Sequence, residues 1–125
     1  MDYKNGPRIT GTPEQLQERL ISFAVDVWNH TGDTAGDPSL NRIRDQLVRA
    51  ATSTAANYAE ARAAESRRDF VHKMQICLKE LRETRVWLEI VGRLGRRTGL
   101  LSLTNECCEL TAIFVSSIKT ARCSE

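Results

Sequence analysis

Apolar side chains in this chain recur at alternating spacings of three and four residues, the pattern of a helix with one buried face. Nowhere do they alternate with the period of two that marks a strand. The first stripe is Leu16, Leu20, Phe23 and Val27, announced by Thr12-Pro13-Glu14-Gln15. Thr12 can cap the first turn, Pro13 fits where no amide partner is needed, and Gln15 completes a capping box. Gly32 ends this helix, and Asp37-Pro38 repeats the cap-plus-proline start. A second seam follows through Leu40, Ile43, Leu47, Ala50, Thr54, Asn57 and Ala61. Its later half is small and polar, which lets a neighbouring backbone come close.

Around residues 62–66 the helix should break or bend, because Ser66 with Asp69 three positions on reads as a new N-cap. Phe70, Met74, Cys77, Leu81, Thr84, Leu88 and Val91 then predict the longest helix, reaching about Leu94. Gly95 and Gly99 bracket a basic turn, and Ser102 or Thr104 starts a fourth helix. Its stripe is Leu103, Cys107, Leu110, Phe114, Ser117 and Ala121, broadened by Ile113 and Ile118. Four helices with short connections predict an all-α fold, an antiparallel up-down-up-down four-helix bundle. Residues 1–11, aperiodic and containing Asn5, Gly6 and Pro7, are expected to form a flexible tail; residues 12–125 form one domain.

Composition adds that 41% hydrophobic residues in 125 suffice for a single core. A bundle this small would gain core by self-association. The net charge of +2 conceals a polarity along the chain. Residues 1–61 carry six Lys/Arg against eight Asp/Glu, residues 62–97 carry ten against five, and residues 98–125 carry two against three. The basicity is confined to one stretch. Cys77, Cys107, Cys108 and Cys123 lack CxxC spacing, and adjacent Cys107 and Cys108 point to different sides of a helix. That is the pattern of reduced thiols and offers no tetrahedral zinc site. The start MDYKNGPRIT has neither an apolar core nor a basic opening, so it is not read as a signal peptide. No apolar run is long enough for a membrane span. A cytoplasmic protein is expected.

Three constellations remain as candidates for function. At 100° per residue, Arg68, His72, Gln75, Lys79, Arg82 and Arg93 fall opposite the core stripe of the third helix. Arg96 and Arg97 join them if the helix persists, and Glu89 is the main interruption. Such a stripe can follow a phosphate backbone by counterion release without reading bases; the plainer alternative is a solvated face. Flanking it, Ile76, Glu80, Glu83, Trp87, Ile90 and Leu94 form a second, partly apolar stripe. Either it is a subunit interface, with Ile76, Trp87, Ile90 and Leu94 at its centre, or it is the margin of a broad core.

The third constellation is polar: Gln46, Arg49, Ser53, Asn57 and Glu60 on the second helix, with Glu80 and Glu83 on the third. Paired carboxylates raise an acid/base or metal hypothesis. Di-iron bundles need Glu-x-x-His units, however, and neither His30 nor His72 follows a glutamate by three. A hydrogen-bonded network of Arg49, Ser53, Asn57, Glu60, Glu80 and Glu83 that fixes helix register is the favoured reading. Gly-rich phosphate loops, Ser/His/Asp sets and activated Cys/His pairs are lacking, so no enzyme, cofactor or metal is expected.

The run Gln46-Leu47-Val48-Arg49-Ala50, with Ser53, Asn57 and Ala59-Glu60-Ala61, then Ser66 and Phe70, leads into Leu78-Lys79-Glu80-Leu81-Arg82-Glu83-Thr84-Arg85 and Trp87-Leu88. This sequence resembles the 23S rRNA-intervening-sequence four-helix bundle proteins, from the first helix to Ser117-Ile118-Lys119-Thr120. The resemblance implies a bacterial homo-oligomer, a pentameric ring above all. It also implies kinship with accessory proteins of diversity-generating retroelements, basic rings that engage nucleic acid and a reverse transcriptase. Asn57, Glu60, Glu80 and Glu83 belong to the motif that carries it. Two functions are therefore expected in competition. One is weak, sequence-nonspecific RNA or DNA binding through the basic helix; the other is a protein scaffold for a polymerase or ribosome-associated partner.

Overall fold

Thr12 opens the first helix as a reciprocal cap: the Gln15 amide donates to its hydroxyl at 3.1 Å, and the Thr12 amide donates to Gln15 Oε1 at 2.9 Å. Gly11 precedes it at φ +69°, and a Cβ there would lie 2.3 Å from that same Oε1, so glycine is what lets the box close. The computed structural model describes residues 3–4, 11–32, 36–94 and 100–123. Its elements are α1 (Pro13–Thr31), α2 (Pro38–Arg62), α3 (Arg67–Arg93) and α4 (Leu100–Cys123), with no strand among the described residues. The Asp37 carboxylate accepts from the Ser39 and Leu40 amides to start α2, and the Ser66 hydroxyl accepts from the Asp69 amide to start α3. Each cap satisfies amides that have no partner within the helix.

Helices α2 and α3 run antiparallel, as the pairing shows: Arg49 meets Glu80, Thr54 meets Cys77, and Glu60 meets Lys73; α1 and α2 do likewise, Glu14 meeting Arg62 and Gln17 meeting Ala55. Each helix packs on its chain neighbour and α1 closes on α4, giving a four-helix bundle, with α2 and α3 most intimately joined. The small residues predicted this. The Cys77 thiol donates to the Thr54 carbonyl at 3.6 Å and the Cys107 thiol to the Leu81 carbonyl at 3.3 Å, contacts that require the backbones to come close.

Leu20, Val27, Leu47, Leu81, Leu110 and Phe114 are fully buried along the axis. Burial of each such side chain stabilises by about 1.5–3 kcal/mol. Tyr58 and Phe114 meet edge to face, centroids 5.7 Å apart.

Two details depart from the sequence expectation. Tyr58, not Asn57, occupies the buried seam of α2, which is wedged between α1 and α3 and so buries the adjacent pairs Ala50/Ala51 and Thr54/Ala55. The fourth helix begins at Leu100 rather than at Ser102 or Thr104, because Leu100 is buried three residues before Leu103 and extends its stripe. Of the expected N-terminal tail, Tyr3 and Lys4 are described, and both are half-buried. Tyr3 stacks at 5.2 Å on Phe70. The Lys4 ammonium donates to the Arg62 and Ala64 carbonyls, each at 2.9 Å.

Candidate nucleic-acid interface

The outer face of α3 carries the predicted cations. Arg68, His72, Lys79, Arg82 and Arg93 are all exposed; Arg96 and Arg97 lie outside the described residues. Arg93 is not free, because the Glu89 carboxylate accepts from it at 2.5 Å one turn back. Arg68, His72, Lys79 and Arg82 make no hydrogen bond or ion pair among the described residues.

The positive surface is wider than one helix. Arg85 is exposed on the flank of α3 that faces α4, and Lys119 and Arg122 are exposed on the last turns of α4. These, too, are without ion pairs among the described residues. Arg82 and Arg85 line a cavity of about 540 Å³ with Val86, Cys108, Thr111 and Glu89, the last bound to Arg93. Arg82 also lines a second, of about 340 Å³, with Lys119, Arg122 and Val115. The α3/α4 seam is therefore a furrow with cations from both helices. Sequence reasoning missed its α4 half because Glu106 and Glu109 make that helix look acidic.

Those carboxylates point elsewhere. Arg19 of α1 binds Glu106 at 2.7 Å and Glu109 at 2.9 Å. Glu60 is bound to Lys73 at 3.1 Å, and Glu14 to Arg62 at 3.3 Å. The remaining pair forms the polar cluster. Arg49 donates to Glu80 at 3.2 Å, to Glu83, and to Gln46 at 3.3 Å. The Trp87 indole donates to Glu83 at 3.3 Å. Burial alone would raise the Glu83 pKa, but the hydrogen bonds from Trp87 and Arg49, with the positive field of Arg49 and Lys79, hold it below the ordinary carboxylate range.

The predicted polar set is thus three local groups and not one network. Arg49, Glu80 and Glu83 join across α2 and α3. Among the described residues Asn57 donates to Ser53 alone, at 2.8 Å to its carbonyl and 3.0 Å to its hydroxyl, while Glu60 pairs with Lys73. Among the described residues no group of three or more His, Cys, Asp or Glu converges on a point that could hold a metal ion.

Of the second stripe on α3, Ile76 and Trp87 are half-buried, Trp87 packing against the core, whereas Ile90 and Leu94 are 37% and 45% exposed. A second apolar surface went unnoticed in the sequence. Ile21, Val25 and Trp28 lie exposed on α1 at 4-3 spacing and border a shallow furrow with Val48 of α2. The Arg44 guanidinium stacks 4.0 Å over the Trp28 ring at its end.

Comparison with known proteins places this arrangement in a family. The model of the 23S rRNA-intervening sequence protein family matches residues 15–116, four-fifths of the chain and all the α2–α3 motif. The chain belongs to that family. A crystal structure of a protein of unknown function from the S23 ribosomal protein family of Bacteroides thetaiotaomicron is similar to it. The two share 32% identity at a TM-score of 0.78, covering 86% of this chain and 97% of that one. No protein of curated function matches. Within this intervening-sequence protein, the Arg49–Glu80–Glu83 cluster locks the two central helices, and the exposed cations lie on the side that the cluster leaves open. Among the described residues no helix is long and apolar enough to cross a membrane.

Proposed function

We propose that this protein is a non-catalytic bundle that binds RNA or DNA weakly and without sequence preference, through the basic face of α3 and its border with α4. One observation carries the reading: Arg82, Arg85, Lys119 and Arg122 are exposed and make no ion pair among the described residues, while Glu80, Glu106 and Glu109 are bound to arginines of other helices and Glu89, at the furrow, is bound to Arg93. Cations left unneutralised on one side can neutralise the phosphates of a polyanion and so displace its condensed counterions into solvent. Among the described residues no aromatic side chain lies on this face, and its charges are suited chiefly to phosphate, so contacts position the nucleic acid more than they specify it. Self-association would repeat the face around an assembly and multiply a weak contact.

The test is binding of a labelled 20-mer, RNA or DNA, across a salt series. Affinity should fall with rising salt, and Lys79→Glu with Arg82→Glu should weaken binding and flatten the slope. Binding that does not change between low and physiological salt would remove the proposal.

A second reading, a scaffold for a protein partner or for further copies of the chain, is favoured by the apolar α1/α2 furrow and by exposed Ile90 and Leu94. Its test is light scattering with Val25→Glu and Ile90→Glu. A particle whose mass either substitution lowers supports it, and a monomer throughout counts against self-association.

A further inference from the structure

We infer that the α3/α4 furrow selects single-stranded over double-stranded nucleic acid, with phosphates on its cationic rims and bases on its floor. This deepens the phosphate-binding reading above and rests on it. The furrow is not merely charged. Between the rims formed by Arg82 and Arg85 on one side and Lys119 and Arg122 on the other, the apolar part of the lining is Leu78, Val86, Val115 and Ile118; Thr111 and Cys108 also border it, and its one carboxylate, Glu89, is bound to Arg93. Val86 and Val115 are 58% and 43% exposed, so this apolar surface is uncovered.

A duplex cannot use such a floor. Its bases are stacked inside, and it presents only phosphates, sugars and groove edges. A single strand can lay a base face on aliphatic side chains while its backbone follows the cations, and arginine planes can stack on bases as well. The exposed Gln75 side chain at the second cavity supplies both a donor and an acceptor to a base edge.

The charge pattern also favours a long polyanion over an acidic amphipathic helix. From Arg82 the line of exposed basic side chains continues along α3 through Lys79 to Arg68, about 20 Å at 1.5 Å per residue, beyond the furrow. A docked helix would need a continuous row of apolar pockets at i, i+3, i+4 and i+7. This furrow offers two compartments that meet at Arg82.

The experiment compares a labelled, unstructured 20-nucleotide RNA with a fully paired duplex of the same length, by anisotropy at one fixed salt concentration. The intact protein should bind the single strand about tenfold more tightly, the scale of covering one exposed valine side chain. Val86→Asn with Val115→Asn should remove most of that preference and leave duplex binding within about twofold, since no phosphate contact is lost. Arg85→Gln with Arg122→Gln should weaken both. As a measurement that needs no variant, a 4-thiouridine-substituted 20-mer should cross-link to peptides containing residues 75–86 and 111–122.

Equal binding of strand and duplex overturns the inference and leaves the phosphate-binding reading standing. Failure to bind either form removes both. Cross-links confined to other faces, or displacement of the strand by an acidic amphipathic peptide that binds more tightly, would also overturn it.

Discussion

Arg49 of α2 donates to Glu80 of α3 at 3.2 Å, and Glu80 is the one charged residue in the buried set among the described residues. The guanidinium is half-exposed and spreads over three acceptors: Glu80, Glu83 and Gln46. A buried carboxylate costs desolvation energy that only a partner offsets. Arg49→Met should therefore destabilise the fold by about 1–3 kcal/mol, the range for a stranded polar group discounted for the exposure of Arg49. Adding Glu80→Gln should recover part of the loss. Urea denaturation of the two single variants and the double variant measures the coupling, and strict additivity would show that the pair contributes no interaction of its own.

Glu83 extends that cluster into a pH dependence. Its pKa is depressed: burial opposes this, but the Trp87 and Arg49 hydrogen bonds outweigh burial. A carboxyl whose folded pKa lies below its unfolded value of about 4.3 stabilises the fold above that value. The contribution disappears as pH falls through the folded pKa. Stability should therefore decline as pH falls below the ordinary carboxylate range. In Glu83→Gln the decline should be shallower, because one group that takes up a proton on unfolding is gone. Parallel denaturation curves at stepped pH test this; identical slopes would contradict it.

The legible parts of this molecule are those that local chemistry determines. Thr12 with Gln15, Asp37 with Pro38, and Ser66 with Asp69 each satisfy amides within a few residues, so the caps sit where the sequence places them. Arg49, Glu80 and Glu83 were legible as a set because α2 and α3 are joined almost directly. Asn57 and Glu60 share that face in projection, but they find nearer partners in Ser53 and Lys73.

Less legible was whatever depends on where the opposite helix puts its charges. The positive α4 rim at Lys119 and Arg122 is masked in any sum along the chain by Glu106 and Glu109, which turn toward Arg19 of α1. The α1 stripe of Ile21, Val25 and Trp28 had helical spacing in plain view. Each of the three follows a core residue, Leu20, Ala24 and Val27, so in projection the stripe merges with the buried face.

The thiols should divide by burial. Desolvation pushes Cys77 and Cys107 up to about 12, whereas Cys123 is exposed and Cys108 half-buried beside the α3/α4 furrow. The thiolate is the reactive form, so two raised, enclosed thiols are doubly protected. At pH 8 an alkylating reagent should label Cys108 and Cys123 in the folded protein and all four cysteines in urea, read by peptide mass mapping. Fast labelling of Cys77 would mean that α2 and α3 separate more readily than their packing indicates.

Tyr3 and Lys4, which lie before α1, both contact the bundle. The Lys4 ammonium sits on the carbonyls of Arg62 and Ala64, at the C-terminal end of α2, where the helix leaves acceptors unpaired and its dipole is negative. Tyr3 covers Phe70, the first core residue of α3, with a tilted ring contact. Together they clamp the turn between the two most closely packed helices. Lys4→Met should cost about 1 kcal/mol, one charge-assisted hydrogen-bonding group at a helix end. Tyr3→Ala should cost about as much through the ring contact and the area it uncovers. The two side chains secure the same turn, so their losses should be less than additive. Thermal denaturation of the single and double variants, with hydrogen exchange at the 63–66 turn as the local readout, decides it. Unchanged exchange there in the double variant would mean that these contacts do not hold the hairpin.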